Sequence, residues 1–175
     1  MYKYIKRLLD IIISLILIII LSPILLIMLI ITKIEFSGNP IYSQYRIGKN
    51  EKPFKIYKFK TMDDNTKKTT KVSRVIRTIG LDELLQLFNV LNGTMSIVGP
   101  RPFIVGDSLP SMYNKKRHSV RPGITGLAQV NGRITLTHKE KLKYDDIYVN
   151  NVSFIMDLKI VLKTIKYVFE VIIGK

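Results

Sequence analysis

The sequence predicts an α+β fold in two parts: an apolar helical anchor over residues 1–33, then a small, mostly helical domain with a short β ribbon over 34–175. Three observations predict it. Residues 11–31 are apolar except for Ser14, Ser22 and Pro23. Residues 54–62 alternate apolar side chains with lysines, the period of a half-buried strand. Residues 81–91 and 154–173 repeat apolar side chains at intervals of three and four, the period of a helix with one buried face.

The anchor comes first. Twenty-one residues at helical rise cover roughly 30 Å, the thickness of a bilayer core. The run is too long for a signal-peptide core, and no small-residue cleavage site follows it. Pro23 removes a backbone donor and crowds the preceding turn, so the helix kinks there; Ser22 is placed to bond back to a freed carbonyl. Both flanks are basic: Lys3, Lys6 and Arg7 before, Lys33, Arg46, Lys49 and Lys52 after. The positive-inside tendency keeps both flanks on the cytoplasmic side. A hairpin that enters and leaves by one face satisfies charge and kink together; a single kinked crossing satisfies the length. Asp10, three and four residues after Arg7 and Lys6, is expected to form a local ion pair.

Residues 41–48 and 54–62 read as a two-stranded ribbon, with Lys58 and Lys60 on one face and Lys55 on the other. Residues 63–71 are polar and aperiodic, a loop. Gly80 is the expected N-cap and Gly93 the expected stop of one helix, whose buried face carries Leu81, Leu84, Leu85, Phe88 and Leu91. Asp82 and Glu83 then stand in its first turn, where the helix dipole favours carboxylates and free N–H groups suit a phosphate. Neighbouring helical residues point about 100° apart, so the two acids are suited to different tasks. Simple capping of the helix also accounts for the pair.

Beyond it, Pro100 and Pro102 stiffen the backbone on both sides of Arg101, a setting that suits bidentate phosphate recognition. Arg121 and Arg133 flank a stretch with glycines at 123, 126 and 132, which fits an anion site or a plain turn-rich connection; it is neither a P-loop nor a dinucleotide fingerprint. Asp145 and Tyr148 share a helical face. In the last segment Lys159, Lys163, Lys166 and Glu170 make one polar stripe on an otherwise apolar helix, suited to a membrane interface or to the core.

Composition bounds the partners. Twenty-eight Lys and Arg against thirteen Asp and Glu give a net charge of +15. An anionic partner follows: phosphorylated metabolites, acidic lipid or nucleic acid. No zinc-finger or RNA-recognition motif accompanies the charge, so nucleic acid is not expected. The absence of cysteine excludes disulfides and thiolate metal sites and fits a reducing compartment. His118 and His138 alone are too few for a zinc site. A membrane-anchored basic module that binds anionic lipid or nucleic acid is the alternative to an enzyme, but it leaves Asp82 and Glu83 unexplained.

The motifs, in order, resemble one family throughout nearly the whole chain. They are Lys6-Arg7-x-x-Asp10, Ser22-Pro23, Gln44-x-Arg46-x-Gly48, Lys58-Phe59-Lys60-Thr61-Met62, Leu81-Asp82-Glu83-Leu84, Ser96 to Pro102, Arg121-Pro122-Gly123-x-Thr125-Gly126, Asp145-x-x-Tyr148-Val149 and Asp157-Leu158-Lys159-Ile160. The chain resembles the bacterial sugar transferases of the monotopic polyprenyl-phosphate phosphoglycosyl transferase type, in their minimal catalytic form.

The resemblance implies a re-entrant helix broken at Ser22-Pro23, a catalytic domain on the cytoplasmic face of the inner membrane, and interfacial amphipathic helices. It implies transfer of a sugar-1-phosphate from a UDP-sugar to polyprenyl phosphate, with UMP released and downstream glycosyltransferases as possible partners. Capsule, O-antigen, exopolysaccharide or glycoprotein glycan assembly would begin with this step. Asp82 is the implied nucleophile, forming an aspartyl-phosphosugar, and Glu83 the implied second catalytic acid, for metal contact or for positioning. Mg²⁺ is the implied cofactor, with Asp82 and Glu83 as candidate ligands. Lys58, Lys60, Arg101, Arg121, Gln129 and Asp145 are the candidate substrate-binding residues.

The chain departs from the family pattern at three positions. Leu85 stands where proline is usual after Asp-Glu-Leu, Gly80 where Ser or Thr is usual, and Lys60 where Arg is usual. The loop after Met62 is also shorter than usual. None of these touches the acid pair.

Overall fold

The computed structural model describes residues 2–36, 38–64, 66–106, 115–132 and 135–173. Its elements are α1 (Tyr2–Ile20), α2 (Ser22–Glu35), β1 (Ile41–Ile47), β2 (Pro53–Phe59), α3 (Lys71–Ile79), α4 (Gln86–Leu91), β3 (Ser96–Val98), β4 (Gly123–Thr125), α5 (Leu127–Val130), α6 (His138–Asn150) and α7 (Phe154–Ile173). Helices with two small two-stranded sheets make an α+β fold, as the sequence predicts. β1 and β2 pair antiparallel, with Ile41 opposite Phe59 and Ile47 opposite Pro53. β3 and β4 pair parallel.

The anchor bends where proline demands it. α1 and α2 meet at 65°. Without an N–H on Pro23, the carbonyl of Ile19 four residues earlier lacks its helical donor; Ser22 Oγ supplies one at 2.8 Å. No single helix among the described residues is long and apolar enough to cross a membrane, whereas the bent pair together meets that test.

These helices are turned inside out relative to those of a water-soluble core. α1 buries Asp10 and Ser14, and α2 buries Met28 and Thr32. Their outward positions carry Ile12, Leu15, Ile16, Ile19, Leu26, Ile27 and Ile30. Both ends of the bent pair are tied to the same body. Near the start, Lys6 Nζ meets Asp157 Oδ2 of α7 at 2.6 Å. At the end, Glu35 accepts from Thr70 Oγ1 at 2.8 Å and Ser73 Oγ at 2.6 Å, at the start of α3.

Asp10 does not form the local ion pair expected from its spacing. It lies 4 % exposed, and its Oδ1 accepts from Ser96 Oγ and Ile97 N, both at 3.0 Å. Lys6 goes to Asp157 and Arg7 to the carbonyls of Val90 and Leu91. A surface pair is worth little, whereas carbonyls at a helix end and strand N–H groups need partners when buried, so tertiary bonds win over the local spacing.

Three apolar clusters hold the remainder. Met28, Phe59, Ile76 and Leu85 join α2, β2 and α3 to the acidic turn. Phe54, Ile56, Val90 and Met95 join β2 to α4. Val98, Tyr148 and Ile160 join β3, α6 and α7. α7 presents three faces: Asp157 and Ile160 inward, Lys159, Lys163 and Lys166 on one outer side, and Ile155, Leu158, Leu162, Ile165 and Phe169 on the other. The helix thus packs on the core, one of the two roles read from its sequence, and also carries an apolar outward stripe.

Candidate active site

The acidic segment departs from the single helix read from its spacing. Gly80 closes α3 in the left-handed conformation (φ 87°), donating to the Ile76 carbonyl at 3.0 Å. Leu81–Glu83 form a separate 3-10 turn, and α4 begins at Gln86. The buried side differs too. Gln86, Leu87, Asn89 and Val90 lie inward and Phe88 is exposed. The cause is Asn89, whose amide donates to the Lys55 carbonyl at 2.8 Å and accepts from Tyr57 N at 3.2 Å, locking α4 to β2. α1 holds the C-terminal end of α4 through Arg7, which donates to the Val90 and Leu91 carbonyls. Gly93 ends the segment with φ 88°, as expected.

This packing places Asp82 and Glu83 in a confined turn, 7 % and 8 % exposed, at the edge of a cleft of about 430 Å³. Among the described residues, six cationic side chains line it, Arg46, Lys58, Lys60, Lys67, Arg77 and Arg101, against four acids, Asp63, Asp64, Asp82 and Glu83. Lys58 arrives on the row of β2 that also carries Phe54 and Ile56, so a buried-facing position delivers a charge to the site.

The two acids stand in different environments. Glu83 Oε1 accepts from Lys58 Nζ and Arg101 Nη2, each at 2.8 Å, and Oε2 has a weaker contact with Arg101 Nη1 at 3.4 Å. Burial alone would raise its pKa, but Arg101 and Lys58 outweigh it and hold the carboxyl well below the ordinary range. The Asp82 carboxylate has no hydrogen bond or ion pair to another side chain among the described residues; its one hydrogen-bond influence comes from its own backbone N–H. Burial, then the neighbouring Glu83 charge, pushes its pKa up; Lys58 and Arg77 partly offset this. One carboxylate is thus a fixed anchor for two cations, and the other is available to a ligand.

The other candidates divide. Lys60 lines the cleft and meets Asp64 at 2.6 Å. Asp145 stands behind Arg101: it is 4 % exposed and meets Arg117 Nη2 at 2.7 Å, while that same nitrogen donates to the Arg101 carbonyl at 2.8 Å. The Arg117 guanidinium also stacks 3.7 Å above the Phe103 ring. Arg121 lies outside the cleft, its Nε donating to the Gly93 carbonyl at 2.7 Å. Gln129 lines a second, apolar space on another side of Glu83. Ser22 and Pro23 mark the bend, and Arg133 lies outside the described residues. Arg46, Arg77 and Arg117 join the site's structure without having been singled out as site residues; Arg46 stood in a quoted motif, whereas only the positive charge of their segments signalled Arg77 and Arg117.

Glycine allows the loop of Arg101 to sit against that of Arg121. A Cβ on Gly99 would lie 2.4 Å from the Arg121 carbonyl oxygen, and one on Gly123 would lie 2.1 Å from the Gly99 nitrogen.

Residues 1–171 match the profile of a family described as bacterial sugar transferase. The chain belongs to the bacterial sugar transferase family. This member is 40 % identical over 176 residues to the uncharacterized sugar transferase EpsL of Bacillus subtilis, covering 93 % of this chain and 86 % of EpsL. It is 43 % identical over 182 residues to a UDP-glucose:undecaprenyl-phosphate glucose-1-phosphate transferase of Klebsiella pneumoniae, covering 91 % and 39 % of the two chains. It is 37 % identical over 184 residues to a UDP-N-acetylgalactosamine-undecaprenyl-phosphate N-acetylgalactosaminephosphotransferase of Aeromonas hydrophila, covering 94 % and 44 %. The sugar transferase thus spans most of EpsL but less than half of each of the other two.

Proposed function

We propose that this protein transfers a sugar-1-phosphate from a UDP-sugar to undecaprenyl phosphate at the cytoplasmic face of the inner membrane, in two steps through Asp82. The observation that carries the reading is the unequal pair: a buried, uncommitted Asp82 beside a Glu83 that fixes Lys58 and Arg101 at the edge of a cationic cleft. The printed activities of the Klebsiella and Aeromonas relatives supply the substrate class.

In the first step an Asp82 oxygen attacks the β-phosphorus of the UDP-sugar. The bond from that phosphorus to the bridging oxygen breaks, and UMP leaves with the oxygen. In the second, a phosphate oxygen of the acceptor attacks the same phosphorus. The Asp82–phosphorus bond breaks, the carboxylate is regenerated, and the polyprenyl-diphosphate sugar departs. Lys58 and Arg101 stand to stabilise the phosphoryl oxygens, at positions fixed in advance by Glu83. The hard oxygens of Asp82 and Glu83, together with diphosphate oxygens, fit Mg²⁺, with Glu83 Oε2 the less engaged oxygen of that residue. When bound, the ion would neutralise the diphosphate and ease departure of UMP.

The inside-out anchor supports a re-entrant placement. Lys6 and Glu35, near its two ends, bind the same body, which fits a hairpin on one face. The outward apolar stripe of α7 would then lie in the interface.

The test is nucleotide release from a panel of UDP-sugars with undecaprenyl phosphate and Mg²⁺. UMP is expected from wild type and, at least ~10³-fold less, from Asp82→Asn, as for loss of a nucleophile. Release of UDP would mean ordinary glycosyl transfer and overturn the mechanism. Silence towards every sugar from folded protein in lipid would favour a binding module.

A further inference from the structure

Past the end of α4, away from Asp82, four cations converge. Arg7 and Arg121 bond three neighbouring carbonyls there. Arg7 donates to Val90 and Leu91 at 2.6 and 2.9 Å, and Arg121 Nε to Gly93 at 2.7 Å. A Cβ on Gly93 would come within 3.2 Å of Arg7 Nη2, and the two guanidinium charges repel. The turn Lys49–Glu51 at the tip of the ribbon packs against Lys115–Ser119, which leads directly to Arg121. It brings up Lys49, which is half-buried. The Lys49 ammonium meets that of Lys3, one turn before Arg7 on α1; burial, then the charges of Lys3 and Arg121, pull the Lys49 pKa down. Among the described residues none of the four forms an ion pair. Asp10, whose charge reaches Arg7, is bonded to Ser96 and Ile97, and Glu51 faces Lys115 at 3.8 Å. Carbonyls at a helix end account for two guanidinium groups. They do not account for two lysines beside them, since like charges held close repel.

We propose that Lys3, Arg7, Lys49 and Arg121 form a phosphate site that takes the head group of an anionic phospholipid. Arg121 Nη1 and Nη2 have no acceptor among the described residues, so this fork can take two phosphate oxygens and the ammonium groups the others. Arg7, held by its carbonyls, adds charge. α1 then turns Leu8, Ile12, Leu15 and Ile16 outward, which puts Lys3 and Arg7 at head-group depth. That depth rests on the membrane anchoring proposed above and is the same whether the anchor turns back or crosses. Asp82 lies eleven residues before Gly93, on the order of 15 Å at helical rise, so a phosphate bound here does not reach it and is no substrate. It would instead tie together the start of the anchor, the tip of the ribbon and the loop of Arg121.

The experiment measures the thermal midpoint of the full chain in nanodiscs of phosphatidylcholine alone, or of phosphatidylcholine and phosphatidylglycerol at roughly 3:1. Wild type is expected to rise by about 5 °C with the anionic lipid. Lys3→Gln with Lys49→Gln removes two charges that make no hydrogen bond to the fold. This variant should match or exceed wild type in phosphatidylcholine, where repulsion is relieved, and fall below it once phosphatidylglycerol is added. Lys3→Arg with Lys49→Arg should keep the wild-type rise, as should Lys159→Gln with Lys166→Gln, which removes equal charge from α7. A full rise in the Lys3 and Lys49 glutamine variant, or an equal loss in the α7 variant, would reduce the effect to general surface charge and overturn the site. No rise in wild type would overturn it as well. Inorganic phosphate added to phosphatidylcholine nanodiscs is the remaining arm. If it reproduces the whole rise while phosphatidylglycerol gives none, the ligand is a soluble phosphate and the lipid assignment fails.

Discussion

Two adjacent carboxylates with nearly equal burial carry opposite shifts, and the difference comes from which cations reach them. Glu83 receives two at hydrogen-bond distance, while Asp82 has only the longer-range influence of Lys58 and Arg77. An attacking carboxylate must be ionised, so the single-turnover release of UMP should fall on acidification through Asp82's raised pKa. Removing Arg77 takes away one of the two charges that hold this pKa down. In Arg77→Gln the acidic limb should therefore move to higher pH, while rates converge at the alkaline plateau. A limb that stays in place, or moves toward acid, would remove Asp82 as the titrating group. At this scale the acid pair and Arg101 were legible as sequence, because a charged pair in a leucine-rich segment and a proline-flanked arginine both stand out. The roles of Arg77 and Arg117 were not, because a surplus of Lys and Arg hides which few reach the site.

Among elements, Asp145 is part of a support rather than of the cleft. The chain of contacts runs from Asp145 on α6 to Arg117, to the Arg101 carbonyl, and through the Arg101 guanidinium to Glu83. Asp145→Asn keeps the shape but leaves the buried Arg117 guanidinium without its counter-ion. The expected cost is about 3–5 kcal/mol, lowering the thermal midpoint by roughly 6–20 °C. Pairing Arg117→Met with Asp145→Leu should restore much of that stability, since an apolar pair avoids desolvating two charges. It should leave transfer slow, because nothing then fixes the Arg101 carbonyl. Full recovery of rate in the stable double variant would show the pair to be a core feature only. The ribbon, the polar loop before α3, and α7 were readable from periodicity, which is a local property. The break between the acidic turn and α4 was not. It depends on Asn89 reaching β2 and Arg7 reaching the end of α4, contacts between residues more than thirty positions apart.

For the whole molecule, the decisive feature is that polar groups of the anchor face the protein while its isoleucines and leucines face outward. In water those apolar side chains would each forfeit their burial, so the arrangement suits apolar surroundings such as lipid. A helix pair that crossed completely would carry its second end some 30 Å from its first. Here Glu35 reaches Thr70 and Ser73 while Lys6 reaches Asp157 of the same body. The absence of native cysteine makes this directly measurable, since any introduced thiol is the sole label site. Lys3→Cys and Lys52→Cys, both at exposed positions on either side of the anchor, are expected to react together with a membrane-impermeant maleimide in inverted vesicles and to be protected together in spheroplasts. Reaction of one but not the other in either preparation would establish a crossing and refute the hairpin. Joint reaction would put the cationic cleft and both flanks of the anchor on one face, where a soluble nucleotide and a lipid-borne phosphate can meet at Asp82.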